Sequence, residues 1–330
     1  MDEVPALRES TRARLATLGL ALGAGLAALV LGSAIESRVM RYTHPEPGEL
    51  EWISDAIVAA GVVGMTYLWL HLRASRTRVA ALERTQIAMD EELRLAAHIQ
   101  QSLLPAVPAR AAGFEWAARM VPARRVGGDF YDFLPQEDGS VMAILADVAG
   151  KGIPAALLQA SIKTLFRAVV RDGADPARVA ERMAAALNEQ IGATSYATAV
   201  LARFDPSPPL LTFVSAGHPP GLLIHEGGVR ELSAGGPPLG LLPGARYESE
   251  TAALGPSDVG VFVSDGITEA LEGVPLKLAD ALRGLAVDGS LPRLADALLD
   301  LAARSPGPVG VEGWQDDRTV FAFRVEKSGA

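Results

Sequence analysis

A hydrophobic run that ends in an acidic residue is the feature that most constrains how this chain can fold. Residues Val141–Ala146 have the composition of a buried strand, and Asp147 follows them directly. After a glycine-rich turn, Pro154 stands in the first turn of an apolar helix, a position that proline favours. A carboxylate at the end of a buried strand costs free energy unless a cation compensates its charge. We therefore expect a strand, a tight turn and a helix that together present Asp147 to a cation.

Other acidic residues stand beside similar strands or turns. Asp129 lies in the segment GGDFYD, Asp265 lies in VFVSDGITEA, and the pair Asp316 and Asp317 lies in QDDRTVF. In a chain with no cysteine and only 5 histidines, these carboxylates indicate a site of oxygen ligands, which suits Mg²⁺ or Mn²⁺ better than Zn²⁺. We expect the acids to converge on two divalent ions that activate a water for hydrolysis of a phosphate ester, with Asp147 reaching both ions.

The length and charge of the chain narrow the possible functions. Its 330 residues are enough for two domains. The absence of cysteine excludes disulfides, thiolate catalysis and cysteine-based metal sites. The net charge is −9, and residues 105–330 hold 20 basic against 27 acidic side chains, which argues against nucleic acid as the main partner.

Two long apolar stretches predict a transmembrane helical hairpin over residues 15–72. After a tail of residues 1–14, Leu15–Ile35 contains no charged residue and is long enough to cross a bilayer. A polar loop leads to the second stretch, Trp52–Leu72, and arginines border the outer ends of both stretches. The positive-inside rule then places both termini in the cytoplasm. The alternative is a cleaved signal peptide. The second apolar stretch, which follows the first at once, argues against it.

Residues 73–104 predict a charged linker helix, since they contain neither glycine nor proline. Two sets of positions recur at intervals of seven, as in a coiled coil. They are Val79, Gln86, Leu93 and Gln100, and Leu82, Met89, Ala96 and Leu103. Polar and small residues on this seam indicate a weak, switchable coiled coil that joins two copies. A plain amphipathic helix that packs on the following domain explains the pattern equally well.

From residue 105 onward, strands and helices come in blocks, which is typical of an α+β sandwich rather than of a parallel sheet. The predicted strands are Phe114–Val121, Phe130–Leu134, Val141–Ala146, Tyr196–Phe204, Leu210–Ser215, Leu222–His225, Val229–Leu232, Asp258–Ser264 and Thr319–Val325. The predicted helices are Ile153–Val170, Pro176–Ile191, Leu276–Leu285 and Leu291–Ala303.

Six motifs in order resemble the metal-dependent PPM serine/threonine phosphatases, and most closely their RsbU/SpoIIE-type branch. The motifs are GGDFYD, ILADVAGKGIPAALL, VSAGHPP, GGPPLGL, VSDGITEA and DDRTVFAFRV. The segment AAHIQQSLLP also resembles the helix that precedes and regulates this catalytic domain, so that the resemblance covers Leu95–Val325. It implies an αββα sandwich over residues 105–330, with a dinuclear Mn²⁺ or Mg²⁺ centre at one edge.

Carried over by position, the resemblance also implies the residues of that centre. The implied metal ligands are Asp129, Asp147, the backbone carbonyl of Val148, Asp265 and Asp316, with Asp317 as the alternative to Asp316. Asp129 and Asp147 are the implied catalytic pair. For His218, in VSAGHPP, we expect a structural role with its ring bonded to backbone.

The function that the resemblance implies is hydrolysis of phosphoserine or phosphothreonine on an anti-sigma-factor antagonist, by a metal-bridged water and without a phosphoenzyme. This reaction would release a partner-switching circuit that controls transcription. With the hairpin, the expectation is a multi-pass protein of the bacterial inner membrane, with a cytoplasmic catalytic domain and a homodimer contact through residues 74–104. The alternative is a weak or inactive pseudophosphatase that signals by docking. The presence of all four acids favours the enzyme.

Overall fold

The computed structural model describes most of the chain after residue 50 and some positions before it. The described residues are 19, 23–25, 28–29, 31–33, 35–36, 51–123, 126–150, 152–171, 174–191, 195–226, 228–233, 235–256, 258–272, 278–279, 282, 290–305, 307 and 315–326. The predicted tail 1–14, most of the first predicted span and most of the predicted helix Leu276–Leu285 lie outside them. The chain divides into two compact units, Met1–Asp90 and Glu91–Ala330.

A single long helix, α1 (Glu51–Leu103), takes up both the second predicted span and the predicted linker helix. Its 53 residues run without a break, since the sequence offers no proline or capping signal between them. By length and composition, Ala56–Leu103 is the one helix in the described part of the chain that is suited to crossing a membrane. Large apolar side chains near its start face outward, and Met65 is 69% exposed.

The described positions between residues 19 and 36 are helical, and one of them packs closely on α1. Gly25 is buried, and an added Cβ there would collide with the side chain of Val63. Ala59, one turn before Val63, is buried too. A glycine facing an alanine and a valine lets two helices approach closely, as is common between apolar helices.

The second unit contains two six-stranded sheets. In chain order the strands are β1 (Arg110–Ala111), β2 (Phe114–Val121), β3 (Phe130–Pro135), β4 (Val141–Val148), β5 (Ala197–Pro206), β6 (Pro209–Ala216), β7 (Gly221–His225), β8 (Gly228–Leu232), β9 (Gly235–Gly236), β10 (Glu250–Ala253), β11 (Val259–Val263) and β12 (Arg318–Val325). One sheet has the order β1-β2-β12-β11-β7-β8, and the other has the order β10-β6-β5-β4-β3, with β9 beside β6. All pairings are antiparallel except that of β9 with β6.

Helices cover the outer face of each sheet, which gives the αββα order that the resemblance implies. They are α2 (Ile153–Val169), α3 (Pro176–Ile191), α4 (Asp265–Glu272) and α5 (Leu291–Arg304). Helices α2 and α3 share a buried cluster with β4, β5 and β6, and helices α4 and α5 share one with β7, β11 and β12. A third cluster lies between the sheets.

The layered arrangement explains why β4 is apolar on both faces. Val141, Ala143 and Leu145 belong to the cluster between the sheets. Met142 and Ile144 belong to the cluster under α2 and α3. Because successive side chains of a strand point to opposite faces, a strand buried on both sides becomes a continuous hydrophobic run.

Aromatic side chains fill much of the space between the sheets. The ring of Trp116 stands edge-on to Phe204 at 4.7 Å and to Phe133 at 4.9 Å, and Phe204 meets Phe323 at 4.8 Å. Edge-to-face pairs at these separations are favourable beyond the area that they bury. The ring of Phe323 lies where a side chain at Gly260 would stand, so β11 needs glycine at this position.

Candidate metal centre

The end of β4 brings two oxygen donors to one small gap. A Cβ added to Gly128 would lie 2.7 Å from Oδ1 of Asp147 and 2.7 Å from the carbonyl oxygen of Val148. These oxygens are two of the predicted ligands, and only a residue without a side chain leaves the gap between them open. The structure therefore places Asp147 and the Val148 carbonyl side by side, as the motif predicts.

Asp129 lies beside Asp147 at the start of β3 and is only 1% exposed. Its Oδ2 accepts a hydrogen bond of 2.5 Å from Oγ1 of Thr319 on β12. Its Oδ1 is buried and accepts no hydrogen bond from the described residues. A buried carboxylate oxygen without a donor is costly, and a cation would satisfy it.

Mutual repulsion among the acids shapes the electrostatics of the site. Burial, and then the charge of Asp265, raises the pKa of Asp147 to about 7. Burial, and then the charge of Asp316, raises the pKa of Asp265 to about 6. Burial, and then the charge of Asp147, holds the pKa of Asp129 well above its usual range. The four predicted acids therefore share one field, in which a cation would favour their charged forms.

The adjacent acids Asp316 and Asp317 have different surroundings. Asp317 is buried, and its two carboxylate oxygens accept hydrogen bonds from the N–H groups of Ala123 at 2.7 Å and Gly128 at 2.6 Å. Asp316 Oδ1 accepts the N–H of Asp317 at 3.0 Å. Among the described residues, the carboxylate of Asp316 thus accepts fewer hydrogen bonds than that of Asp317.

An open cavity lies beside Asp147, Asp316 and Asp317. It is lined by Ala123, Val126, Gly127, Gly128, Asp147, Val148, Ala149, Gly150, Gln315, Asp316 and Asp317. Among the described residues, no three acid or histidine side chains already enclose one point as the ligands of an ion do. Of the predicted ligands, Asp147, Val148 and Asp316 line this cavity, whereas Asp129 and Asp265 are not among its lining residues.

A glutamine from α1 reaches the same loop, and the sequence pattern did not place it at the site. Gln100 is 5% exposed; its Nε2 donates to the carbonyl of Gly127 at 2.6 Å, and its Oε1 accepts the N–H of Gly127 at 3.2 Å. Nε2 also meets Oε1 of Gln159 on α2. The available signal was a glutamine on an otherwise apolar seam, where a buried amide needs partners.

The second acid of GGDFYD forms a buried ion pair away from the cavity. Asp132 is fully buried and accepts hydrogen bonds from Arg167 Nε at 2.6 Å and Arg167 Nη2 at 2.7 Å. Lys163 Nζ lies 3.8 Å from Oδ1 of Asp132 and also donates to the carbonyl of Leu103, at the end of α1. The two motif acids thus differ in role, because successive residues of β3 alternate between faces.

His218 is buried, and its ring has both a backbone hydrogen bond, to Val263, and a contact with the side chain of Thr198. Its Nδ1 lies 2.9 Å from Oγ1 of Thr198, and its backbone N–H and carbonyl both bond to Oγ of Ser215. Burial lowers the pKa of the His218 ring to about 4, so the ring is neutral at physiological pH.

Comparisons with known proteins agree with this geometry. The chain is 30% identical to the phosphoserine phosphatase RsbU of Bacillus subtilis over 190 residues, which are 57% of this chain and 56% of RsbU. The chain therefore spans about half the length of this relative. The solved SiaA-PP2C domain of Pseudomonas aeruginosa is 25% identical, with a TM-score of 0.61 over 73% of this chain and 98% of that domain.

The RsbU and RsbW domains of Rv1364c from Mycobacterium tuberculosis give a TM-score of 0.55 at 28% identity, over 66% of this chain and 62% of that one. The family model of Stage II sporulation protein E (SpoIIE) matches residues 137–326, from the turn before β4 to the end of β12. Since this match covers more than half of the chain, the protein belongs to the SpoIIE family.

Proposed function

We propose that the protein is a metal-dependent protein phosphatase that removes phosphate from phosphoserine or phosphothreonine. The observation that supports this most directly is the convergence of Asp147, the Val148 carbonyl and Asp316 on one cavity, with Asp129 and Asp265 in the same electrostatic field. RsbU, the relative that matches over the same region, is named a phosphoserine phosphatase.

The residues of the cavity fit Mn²⁺ or Mg²⁺, the ions on which phosphatases of this family depend. All the donors are oxygens, one buried oxygen of Asp129 has no partner among the described residues, and the Gly128 gap leaves room beside Asp147. The ligands that we propose are Asp129, Asp147, the Val148 carbonyl, Asp265 and Asp316. When bound, such ions neutralise phosphate charge and lower the pKa of a water.

The chain itself fixes where this chemistry takes place. Thr319 holds one oxygen of Asp129 by its hydrogen bond, and the other oxygen is buried without a hydrogen-bond partner among the described residues. Asp147 lies next to the last residue of β4, where its backbone pairs with Thr198 of β5. Glycine at positions 127 and 128 keeps side chains out of the cavity where a phosphate would approach.

For the substrate we propose a phosphorylated regulatory protein of the anti-sigma-factor antagonist type. The support is the similarity to RsbU and to a Mycobacterium tuberculosis chain that contains RsbU and RsbW domains. The acidic character of residues 105–330 is consistent with a protein partner rather than nucleic acid. Incubation of the full chain with its own proteome and Mn²⁺, followed by phosphoproteomics, identifies the substrate as the protein that loses phosphate.

We further propose that the N-terminal unit anchors the protein in the bacterial inner membrane as a two-span hairpin, with the catalytic unit in the cytoplasm. The support is the apolar start of α1 and the close packing of Gly25 on Val63. The catalytic unit is then linked to the anchor through α1, whose Gln100 bonds to the loop that holds Asp129. The exposed seam residues Val79, Leu82 and Met89 support a homodimer contact on the same helix.

The experiment that tests the enzymatic proposal is hydrolysis of a phosphoserine peptide by the full-length chain in detergent, with and without Mn²⁺. We expect turnover that depends on Mn²⁺ and is abolished in Asp147→Ala. The matched control is Asp258→Ala, because Asp258 caps a turn at Gly255 on another part of the surface. If the wild type and Asp147→Ala gave the same rate, and Mn²⁺ did not change it, there would be no turnover that depends on this site. The protein would then be a docking module without catalysis.

A further inference from the structure

Both carboxylate oxygens of Asp317 are occupied by backbone amides from another part of the chain. Oδ1 accepts a hydrogen bond from the Ala123 N–H at 2.7 Å, and Oδ2 accepts one from the Gly128 N–H at 2.6 Å. The Asp129 N–H also points to Oδ2, at 3.5 Å. Because Asp317 is only 7% exposed, little water competes for these charge-assisted bonds.

The backbone of Asp317 is held from its other side, where β11 meets α4. Oγ of Ser264 donates to the Asp317 carbonyl at 3.3 Å and accepts the Thr319 N–H at 2.9 Å. A Cβ added to Gly266 would collide with the same carbonyl, so α4 begins directly against it. The backbone of Asp317 is therefore fixed where β11 meets α4. Its carboxylate holds a different segment, the glycine loop (Val126–Asp129).

A carboxylate in this position is poorly placed to act as a metal ligand. Turning it toward an ion would leave the buried amides of Ala123 and Gly128 without acceptors, which is unfavourable. A side chain at Gly127 would also collide with Oδ2 of Asp317, so the loop and this carboxylate are closely fitted. Both acids line the cavity, but the carboxylate of Asp316 accepts the N–H of Asp317 and, among the described residues, no N–H of the loop.

The geometry points to a division of labour between the two adjacent acids: Asp316 holds the ion, and Asp317 is a positioning residue that fixes the glycine loop. In this arrangement Asp317 places Asp129 and the Gly128 gap against Asp147, so that the site is shaped before an ion arrives. The inference rests on the proposed function and deepens it, since it concerns the same metal centre.

The test compares Asp317→Asn with Asp316→Asn in the full-length chain in detergent. The two variants remove the same charge from neighbouring positions and keep the size of the side chain. In the metal-free protein we measure the thermal midpoint and the hydrogen exchange of the Ala123 and Gly128 amides. Mn²⁺ affinity is then measured by electron paramagnetic resonance of the free ion, and phosphopeptide hydrolysis is measured against Mn²⁺ concentration.

For Asp317→Asn we expect a midpoint lower by about 5 °C, faster exchange of both amides and Mn²⁺ binding weaker by about tenfold. Its activity should return at saturating Mn²⁺, because every ligand is still present. For Asp316→Asn we expect an unchanged or higher midpoint, unchanged exchange, and a loss of Mn²⁺ binding that added ion does not restore.

Three results would overturn the inference. The first is unchanged amide exchange in Asp317→Asn, and the second is faster exchange with wild-type Mn²⁺ affinity, which would make the residue structural only. The third is that Asp316→Asn shows the results expected for Asp317→Asn, and Asp317→Asn shows those expected for Asp316→Asn. If Asp317→Asn does not fold, hydrogen exchange of the metal-free wild type decides. Fast exchange of the Ala123 and Gly128 amides there would contradict the proposed contacts.

Neither exchange nor Mn²⁺ binding requires turnover, so this inference and the proposed function fail separately. A chain that shows the expected differences between the two variants but hydrolyses no phosphoester would contradict the enzymatic proposal alone. A chain that hydrolyses phosphoserine and shows no such differences would contradict the assignment of Asp317 alone.

Discussion

At the scale of single residues, the buried acids of the candidate metal centre should lower the stability of the protein near neutral pH when no cation is present. Asp147 has a pKa of about 7 and Asp265 a pKa of about 6, both raised by burial and by neighbouring charges from a usual value of 3.8. Between the usual pKa of 3.8 and the raised pKa values of about 6 and about 7, the folded chain therefore binds more protons than the unfolded chain. Stability then falls as pH rises through this window.

The expected outcome is that the demetallated chain is more stable at pH 5 than at pH 8, with a thermal midpoint higher by about 5 °C. Acids with lowered pKa values, such as Asp138 with a pKa of about 2, titrate below this window and do not offset the effect. The measurement is the thermal midpoint of unfolding, taken in the presence of a chelator at several pH values. Asp147→Asn should flatten the profile, and a wild-type midpoint that rises with pH from 5 to 8 would contradict the electrostatic description.

Gly128 offers a second prediction at this scale, because its missing side chain forms the gap between two donors. In Gly128→Ala, the new Cβ would lie 2.7 Å from both Asp147 Oδ1 and the Val148 carbonyl oxygen. We expect a loss of stability of about 1–3 kcal/mol and loss of Mn²⁺ binding, measured by unfolding and by titration with the ion.

The matched control is Gly255→Ala, where a new Cβ meets only ordinary contacts of 3.4 Å and longer to Asp258. Its stability should stay within about 0.5 kcal/mol of the wild type. If Gly128→Ala binds Mn²⁺ as the wild type does, the ions are not held in this gap.

At the scale of elements, the sequence pattern was a good guide where local chemistry and burial agree. The strand, turn and helix from β4 to α2 were predicted within one or two residues, because an apolar run, glycines and Pro154 all indicate the same boundary. Strand β10 (Glu250–Ala253) was not predicted, because its short segment has no apolar alternation. Helix α4 was not predicted either, since its eight residues are too few to show a clear period.

The sequence predicted only those parts of the candidate site that local patterns mark. The aspartates stand at or next to strand ends, which the sequence marks; Asp147 and Asp316 line one cavity, whereas Asp129 and Asp265 are not among its lining residues. The partners of the loop were not predictable, because Gln100 and Asp317 meet it across 27 and 189 residues of sequence. The heptad pattern could not decide between its two interpretations either. The structure shows that Gln100 faces the catalytic unit, whereas Leu82 and Met89 are exposed.

The contact of α1 with the glycine loop leads to a prediction about Gln100. Gln100→Ala removes both hydrogen bonds to Gly127, so we expect a loss of about 1–2 kcal/mol in the free energy of unfolding and a weaker affinity for Mn²⁺. The control is Gln101→Ala, which removes an exposed side chain of the same type and should change stability by less than about 0.5 kcal/mol. Equal behaviour of the two variants in metal titration would mean that α1 does not act on the site.

At the scale of the whole molecule, the exposed part of the seam predicts self-association. Leu82 is 70% exposed and Met89 is 61% exposed, one heptad apart, and a second copy of the helix would cover them. We expect the full-length chain in detergent to be a dimer by light scattering, and the double variant Leu82→Lys, Met89→Lys to shift it toward the monomer.

The control variant Ala81→Lys, Ala88→Lys adds the same charges one position away, at exposed sites off the seam. It should remain dimeric, because charged residues outside the a and d positions are tolerated. A monomeric wild type, or equal dissociation in both double variants, would show that this seam is not the contact.

The aromatic layer between the sheets has a practical consequence. The indole of Trp116 is enclosed by phenylalanine rings contributed by both sheets, so we expect its emission to be blue-shifted while they remain in contact. Any opening of the sandwich would admit solvent to this ring and move its emission to longer wavelengths. The protein thus contains an intrinsic optical reporter of separation between its two sheets.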